Sequence, residues 1–237
     1  MSADVARLTL SIALDPHRCH IWPMRWTRRL AGAAAVAAVS AGVFLPARRT
    51  SLRWGATDDE LRMPLPGDEL LPVPNLAATR AISIAAPTSA VWPWLTQLGQ
   101  NRGGFYSYDW LENLVGLKIH SADAIEPELQ VRSVGDDVDL APGASLSVAR
   151  LDDGRALVLS GGVGVKGTDT EAPFQFTWAF VLLPQPDGST RLVVRERYVY
   201  LTGWTGALVE PVEMVSWVMT ERMLRGIRDR AERRPSP

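Results

Sequence analysis

The first candidates for chemistry in this chain are one histidine and the carboxylates near it. His120 is the only histidine beyond residue 20, and Asp109, Glu112 and Asp123 lie close to it in the sequence. A histidine becomes a general base when a carboxylate orients its ring. The alternative is structural, because Asp109 three residues before Glu112 also fits a capping box at the start of a helix. Catalysis by His120 and a purely structural cluster both remain open.

Glu196 is the second candidate. It is considered both as a catalytic group, like His120, and as a ligand contact, like the tyrosines. Strand alternation in RLVVRERYVY places it on one face with Leu192, Val194, Tyr198 and Tyr200, and places Arg195 and Arg197 on the other. A buried unpaired carboxylate is costly, so Glu196 must pair, accept hydrogen bonds or take a proton. Either an arginine or tyrosine hydroxyls satisfy it, or it anchors the head group of a ligand. Arg102 and Arg222 are the alternative anchors.

Aromatic side chains predict an apolar surface beside these polar groups. Phe174, Phe176, Trp178 and Phe180 recur at every second position, and RGGFYSYDWLENL at residues 102–114 adds four more aromatics. Such a stripe is core or the wall of a cavity, and both interpretations bury it. The residues predicted to contact a ligand are Tyr106, Tyr108, Trp110, Phe176, Trp178, Phe180, Glu196, Tyr198, Tyr200 and Met219.

Several other site classes are not expected. Cys19 is the only cysteine and the three histidines have no zinc-binding spacing, so we predict no zinc site. GVGVKG at residues 162–167 leads towards a strand instead of a helix, which predicts a loop at the cavity rim and not a nucleotide site. Beyond residue 50 there are 18 basic against 24 acidic residues, from chain totals of 25 and 26, which argues against a nucleic-acid partner.

The rest of the sequence predicts the elements that position these residues. A short strand at residues 82–85 precedes a helix after Pro87 and a second short helix within residues 107–117. The apolar period then becomes two, and the strands are separated by the turn signals Gly135-Asp136, Asp153-Gly154 and Asp187-Gly188. A final helix of about 25 residues carries an apolar stripe that is formed by Leu208, Val212, Val215, Met219, Met223 and Ile227.

This order predicts an α+β domain with a hollow. An antiparallel sheet with one apolar face must bury that face, and the last helix has the length and the stripe to cover it. One helix does not fill a curved sheet completely, so we expect space between them, closed at one end by the two short helices.

The element order, the opening ISIAAPTSAVWPWLTQLGQ and the block GGFYSYDWLENLVGLKIHSADAI resemble the START-like, or SRPBCC, superfamily, and within it a bacterial subgroup without an assigned activity. The resemblance covers residues 79–232. It implies a helix-grip fold, in which the sheet wraps around the C-terminal helix, and an internal apolar cavity without an obligatory metal or cofactor. The superfamily includes polyketide cyclases and lipid-transfer domains, so fold alone does not select a function.

Three functions follow from that resemblance and the residues. The first is binding or transport of a small hydrophobic molecule, lipid or polyketide-like, without catalysis, which predicts an apolar cavity with a polar end. The second is a cyclase or dehydratase, which predicts a polar pair such as His120 with a carboxylate inside the cavity. The third is an envelope structural or interaction module, which predicts a filled core and an exposed apolar patch. The oligomeric state is left open.

The segments before the domain predict its location. Residues 30–46 form an uncharged apolar run between arginines, which is typical of an export signal, with Met24 as an alternative start and cleavage near residue 41, or of a membrane anchor. A cytoplasmic protein with an additional apolar helix is the alternative. We therefore divide the chain into a signal or anchor at 1–50, a proline-rich linker or arm at 51–78, and the domain at 79–234.

Overall fold

A computed structural model describes residues 46–114, 116, 118–162 and 172–233. The predicted N-terminal apolar helix lies outside these residues up to position 45, as does the glycine-rich loop from residue 163 onwards. Within the described part of the chain, no helix has both the length and the hydropathy of a membrane span.

Six antiparallel strands form one curved sheet in the spatial order β1-β6-β5-β4-β3-β2. The strands are β1 Leu76–Ile84, β2 Asp137–Ala141, β3 Ala144–Asp152, β4 Ala156–Gly162, β5 Phe174–Pro184 and β6 Thr190–Tyr200. The helices are α1 at residues 46–53, α2 Asp58–Arg62, α3 Thr88–Thr96, α4 Asp109–Leu114 and α5 Thr205–Ala231. The predicted α+β class, with two short helices after the first strand and a long C-terminal helix, is confirmed.

The hairpin turns follow the glycine signals in two of three cases. Gly154 and Gly188 adopt φ values of 67° and 82° in the turns between β3 and β4 and between β5 and β6, as predicted. The prediction for Gly135-Asp136 is wrong, because this turn precedes β2 and the β2–β3 turn uses Gly143. Asp136 instead accepts backbone N–H bonds from Arg132 and Ser133, which closes the loop that leads into β2.

The main core lies between the inner face of the sheet and α5, with α3 packed beside them. Ile84, Leu95, Phe180, Leu224 and Ile227 are completely buried there. The period-two strands and the helical stripe of α5 therefore meet on the predicted faces.

The outer face of the sheet is covered by the segment before β1. Leu65 and Met63 pack there against Val193 in a second, smaller apolar cluster. Arg195 donates to the carbonyl oxygens of Glu60 and Met63 at 2.6 and 2.9 Å, and neighbouring outward arginines of β6 contact the same segment. The alternation of β6 thus sends arginines to the arm and Glu196 to the interior.

Candidate functional site

A cavity of about 620 Å³ lies between the inner face of the sheet and α5, which lines it from Pro211 to Met223. Its wall is almost entirely apolar, and its polar lining side chains include two carboxylates, Glu112 and Glu196. The volume falls within the range of about 300–1,000 Å³ that is usual for small-molecule sites. The hollow that was expected from the element order is therefore present.

The aromatic wall of the cavity comes from β5. Phe174, Phe176 and Trp178 line it, since alternate side chains of a strand project from the same face. The Phe176 ring lies 4.6 Å from that of Tyr198 on β6, and the Trp178 ring lies 4.9 Å from that of Phe180, measured between centroids. Phe180 is fully buried and does not line the cavity, so the stripe passes from cavity wall into solid core.

The cavity opens along the first half of α5. Val212 and Val215 line it and are also 55% and 61% exposed, so they mark its mouth. Pro211 lies beside them inside the helix, because α5 begins at Thr205. The proline cannot donate a backbone hydrogen bond at this point.

One polar group of the cavity is Glu196, which is tied to the core. Arg80 Nη1 donates to Glu196 Oε1 at 2.8 Å, and the Tyr198 hydroxyl donates to Oε2 at 3.1 Å. Thr220 on α5 adds a longer bond of 3.3 Å to Oε1. The arginine and tyrosine partners that a satisfied Glu196 requires are thus both present. Burial, followed by the neighbouring Glu196 carboxylate, raises the pKa of Tyr198 and keeps this hydroxyl a donor.

Arg80 is the residue that sequence reasoning missed. It also pairs with Glu213 on α5 and donates Nε–H to the Ser51 carbonyl of α1 at 2.8 Å, so one guanidinium joins β1, β6, α5 and α1. Two buried carboxylates share this single cation. Burial raises the pKa of Glu213, and the adjacent Arg80 opposes that shift. The signal was available, because Arg80 alternates with Ile82 and Ile84 on the inward face of a strand.

The other carboxylate of the cavity is Glu112 on α4, which is 5% exposed. Ser107 donates its hydroxyl to Glu112 Oε1, while Oε2 is buried without a hydrogen-bond partner. Burial raises the pKa of Glu112, the Ser107 hydrogen bond lowers it, and nearby Asp109 raises it further. The predicted capping box is not formed, because Asp109 accepts from the backbone and side chain of Ser121.

Of the ten predicted ligand contacts, five line the cavity: Phe176, Trp178, Glu196, Tyr198 and Met219. Phe180 lies beneath the wall, and Tyr200 is half-buried at the end of β6. The remaining three belong to the stretch at residues 102–114, whose side chains point in different directions.

That stretch contributes Phe105, Ser107 and Glu112 to the cavity rather than its tyrosines. Tyr106 is buried against Trp94, at 5.6 Å between ring centroids, with Arg230 over its face at 4.7 Å. Tyr108 and Trp110 lie outside the cavity lining: Tyr108 is half-buried under Arg222, and Trp110 is 69% exposed.

The remaining chemical candidates lie outside the cavity lining. His120 is exposed, and its neighbour Asp123 forms an ion pair with Arg230 at 3.2 Å. Arg102 donates to the carbonyl oxygens of Leu129 and Asp137, so it joins two loops. The polar pair that would favour an enzyme, His120 with a carboxylate inside the cavity, is therefore not formed by the described residues.

Replacing Glu112 with glutamine tests the protonation of this carboxyl. The pKa of Glu112 is raised from its ordinary value of 4.5 in the folded state. The stabilisation from this group is therefore complete at a pH below its pKa in the unfolded chain, and it is lost as the pH rises through its pKa in the folded chain. We therefore compare the unfolding free energy of Glu112→Gln with that of the unmodified chain at about pH 5 and about pH 8. The difference should shift in favour of the variant at the higher pH, because only the unmodified chain loses this stability. Urea unfolding at both pH values measures this. An identical difference at the two would contradict the shift.

Comparisons with known proteins leave the family open. No family model matches the chain, and no curated protein matches it. Among solved structures, a hypothetical protein of Helicobacter pylori shares 12% identity at a TM-score of 0.44, over 72% of this chain and 96% of that one.

Two further solved structures are similar to this chain. DynU16, from the dynemicin biosynthetic locus, shares 16% identity at a TM-score of 0.39, over 64% of this chain and 47% of its own. CalU16 of Micromonospora echinospora shares 16% identity at 0.32, over 66% of this chain and 83% of its own. Because these TM-scores are low, the function proposed below rests on the geometry of this chain alone.

Proposed function

We propose that this chain is a START-like, helix-grip protein that binds or carries a small hydrophobic molecule, lipid or polyketide-like, in its internal cavity. The observation that carries the proposal is the cavity of about 620 Å³ with its apolar wall, to which five aromatic side chains contribute. Protein interiors normally pack densely, and an empty apolar space costs stability in proportion to its volume. A cavity of this size that opens to solvent is what a ligand site requires.

The open cavity and the position of His120 weigh against the two alternatives. A structural module predicts a filled core beneath the aromatic stripe, whereas the stripe here faces open space at Phe174, Phe176 and Trp178. A cyclase or dehydratase predicts a polar pair inside the cavity, such as His120 with a carboxylate, and His120 is at the surface. Export or membrane attachment through residues 30–46 remains a separate prediction.

Native mass spectrometry of the full chain, followed by organic extraction, is the direct test. We expect a bound mass that disappears on denaturation and is recovered in the extract. An apo mass, together with no thermal shift across fatty alcohols, fatty acids and aromatic polyketides, would overturn the proposal.

Replacing Met219 with tryptophan is expected to fill the cavity. Met219 lines it from α5, and a bulky indole there should weaken binding of the extracted molecule by at least about tenfold. Val218→Trp is the matched control, because Val218 is the preceding residue of the same helix, is 43% exposed and does not line the cavity. Titration of both variants measures the effect, and equal affinities would place the ligand elsewhere.

A further inference from the structure

The ionisable groups of the cavity have one sign. Of its 17 lining residues, Glu112 and Glu196 are acidic, and none is lysine, arginine or histidine. A pocket for a carboxylate or phosphate ligand normally supplies a cation or a set of N–H donors at the polar end. The described residues that line this cavity provide no such cation.

Arg80, the cation that pairs with the cavity carboxylate Glu196, is fully engaged by protein groups. Each of the three nitrogens of Arg80 bonds to a protein oxygen, on Ser51, Glu196 and Glu213, and Arg80 is itself only 1% exposed. Because two carboxylates share this guanidinium, its charge is already compensated within the core. Arg80 therefore does not offer a free positive charge to a ligand.

From this arrangement we infer that the cavity takes molecules without negative charge, such as hydroxyl- or carbonyl-bearing apolar compounds, and excludes carboxylate and phosphate lipids. The inference rests on the proposed function. A carboxylate that enters such a cavity loses its hydration and gains no counter-ion, which is the most costly form of burial. A hydroxyl loses less, and Glu112, whose Oε2 has no hydrogen-bond partner in the protein, lines the cavity as an acceptor for it.

Two fluorescent probes with the same apolar body separate the classes. Pyrenebutanol is neutral, whereas pyrenebutanoate is anionic near neutral pH, and both are titrated into the full-length protein. We expect the Kd of the alcohol to be lower by at least about tenfold. Equal binding, or tighter binding of the carboxylate, would overturn the inference while the proposed function stands. If neither probe binds and extraction yields no ligand, both fail.

Glutamate variants show whether the charge of the cavity causes the selection. Glu112→Gln removes one lining carboxylate, and it should narrow the ratio of the two Kd values by at least about threefold, through tighter binding of pyrenebutanoate. Glu221→Gln is the control, since Glu221 pairs with Arg225 on α5 and does not line the cavity. If Glu112→Gln and Glu221→Gln gave the same ratio of the two Kd values, Glu112 would not be the cause of the exclusion of the anionic probe.

Discussion

Replacing Arg80 with methionine is expected to lower the free energy of unfolding by about 3–5 kcal/mol. The substitution keeps an unbranched apolar stem but leaves Glu196 and Glu213 buried without their shared cation. It also removes the bond to the Ser51 carbonyl, through which α1 is held to the sheet. Urea unfolding followed by tryptophan fluorescence measures the loss.

The same substitution at the surface provides the control. Arg62 pairs with Asp59 three residues earlier, and both side chains are largely exposed. Arg62→Met should therefore cost less than about 1 kcal/mol. A triple variant, Arg80→Met with Glu196→Gln and Glu213→Gln, should recover part of the loss, because no buried charge then remains unpaired. If Arg80→Met cost as little as Arg62→Met, the shared cation would not stabilise the fold.

The local patterns of the sequence predict the elements and faces of this fold well. Period-two alternation places Glu196 inward and Arg195 outward, and the Asp-Gly signals mark two of the hairpins, because strand geometry and turn geometry are set by neighbouring residues. The apolar stripe of α5 predicts its buried face for the same reason. These predictions need no knowledge of distant contacts.

Partners that are distant in sequence are not accessible to that reasoning. Arg80 meets Glu213 from 133 positions away, and Glu196 from 116 positions away. The local pattern predicts that Glu196 needs a partner, but it does not identify that partner. Local patterns also do not predict that the arm covers the outer face of the sheet, since Arg195 binds a segment more than 120 residues earlier.

The aromatic stretch at residues 102–114 contains an unusual backbone angle at Tyr106. Tyr106 has a φ of 56°, in the left-handed region that non-glycine residues seldom adopt. The chain therefore turns there, so Phe105 faces the cavity while Tyr106 faces Trp94 and Arg230. No regular period predicts these directions, and the three expected ligand contacts in this stretch all lie outside the cavity lining.

The same turn brings α5 close to Tyr106 at Gly226. This glycine lies inside a helix, where alanine is normally favoured by about 1 kcal/mol. A Cβ atom at position 226 would lie 2.8 Å from Tyr106 Cβ and would overlap the Tyr106 carbonyl oxygen. Since the obstacle includes backbone, it cannot be relieved by a change of rotamer.

Gly226→Ala is therefore expected to destabilise the domain by about 2 kcal/mol or more, against its helix propensity. Gly203→Ala serves as the control, because nothing lies within 4 Å of the added methyl group and the change should stay within about 0.5 kcal/mol. Urea unfolding of both variants decides the sign. A stabilised Gly226→Ala would mean that helix propensity outweighs the contact, and that α5 does not rest directly on the Tyr106 backbone. A destabilised one would support the direct contact between α5 and the Tyr106 backbone, next to the cavity-lining Phe105.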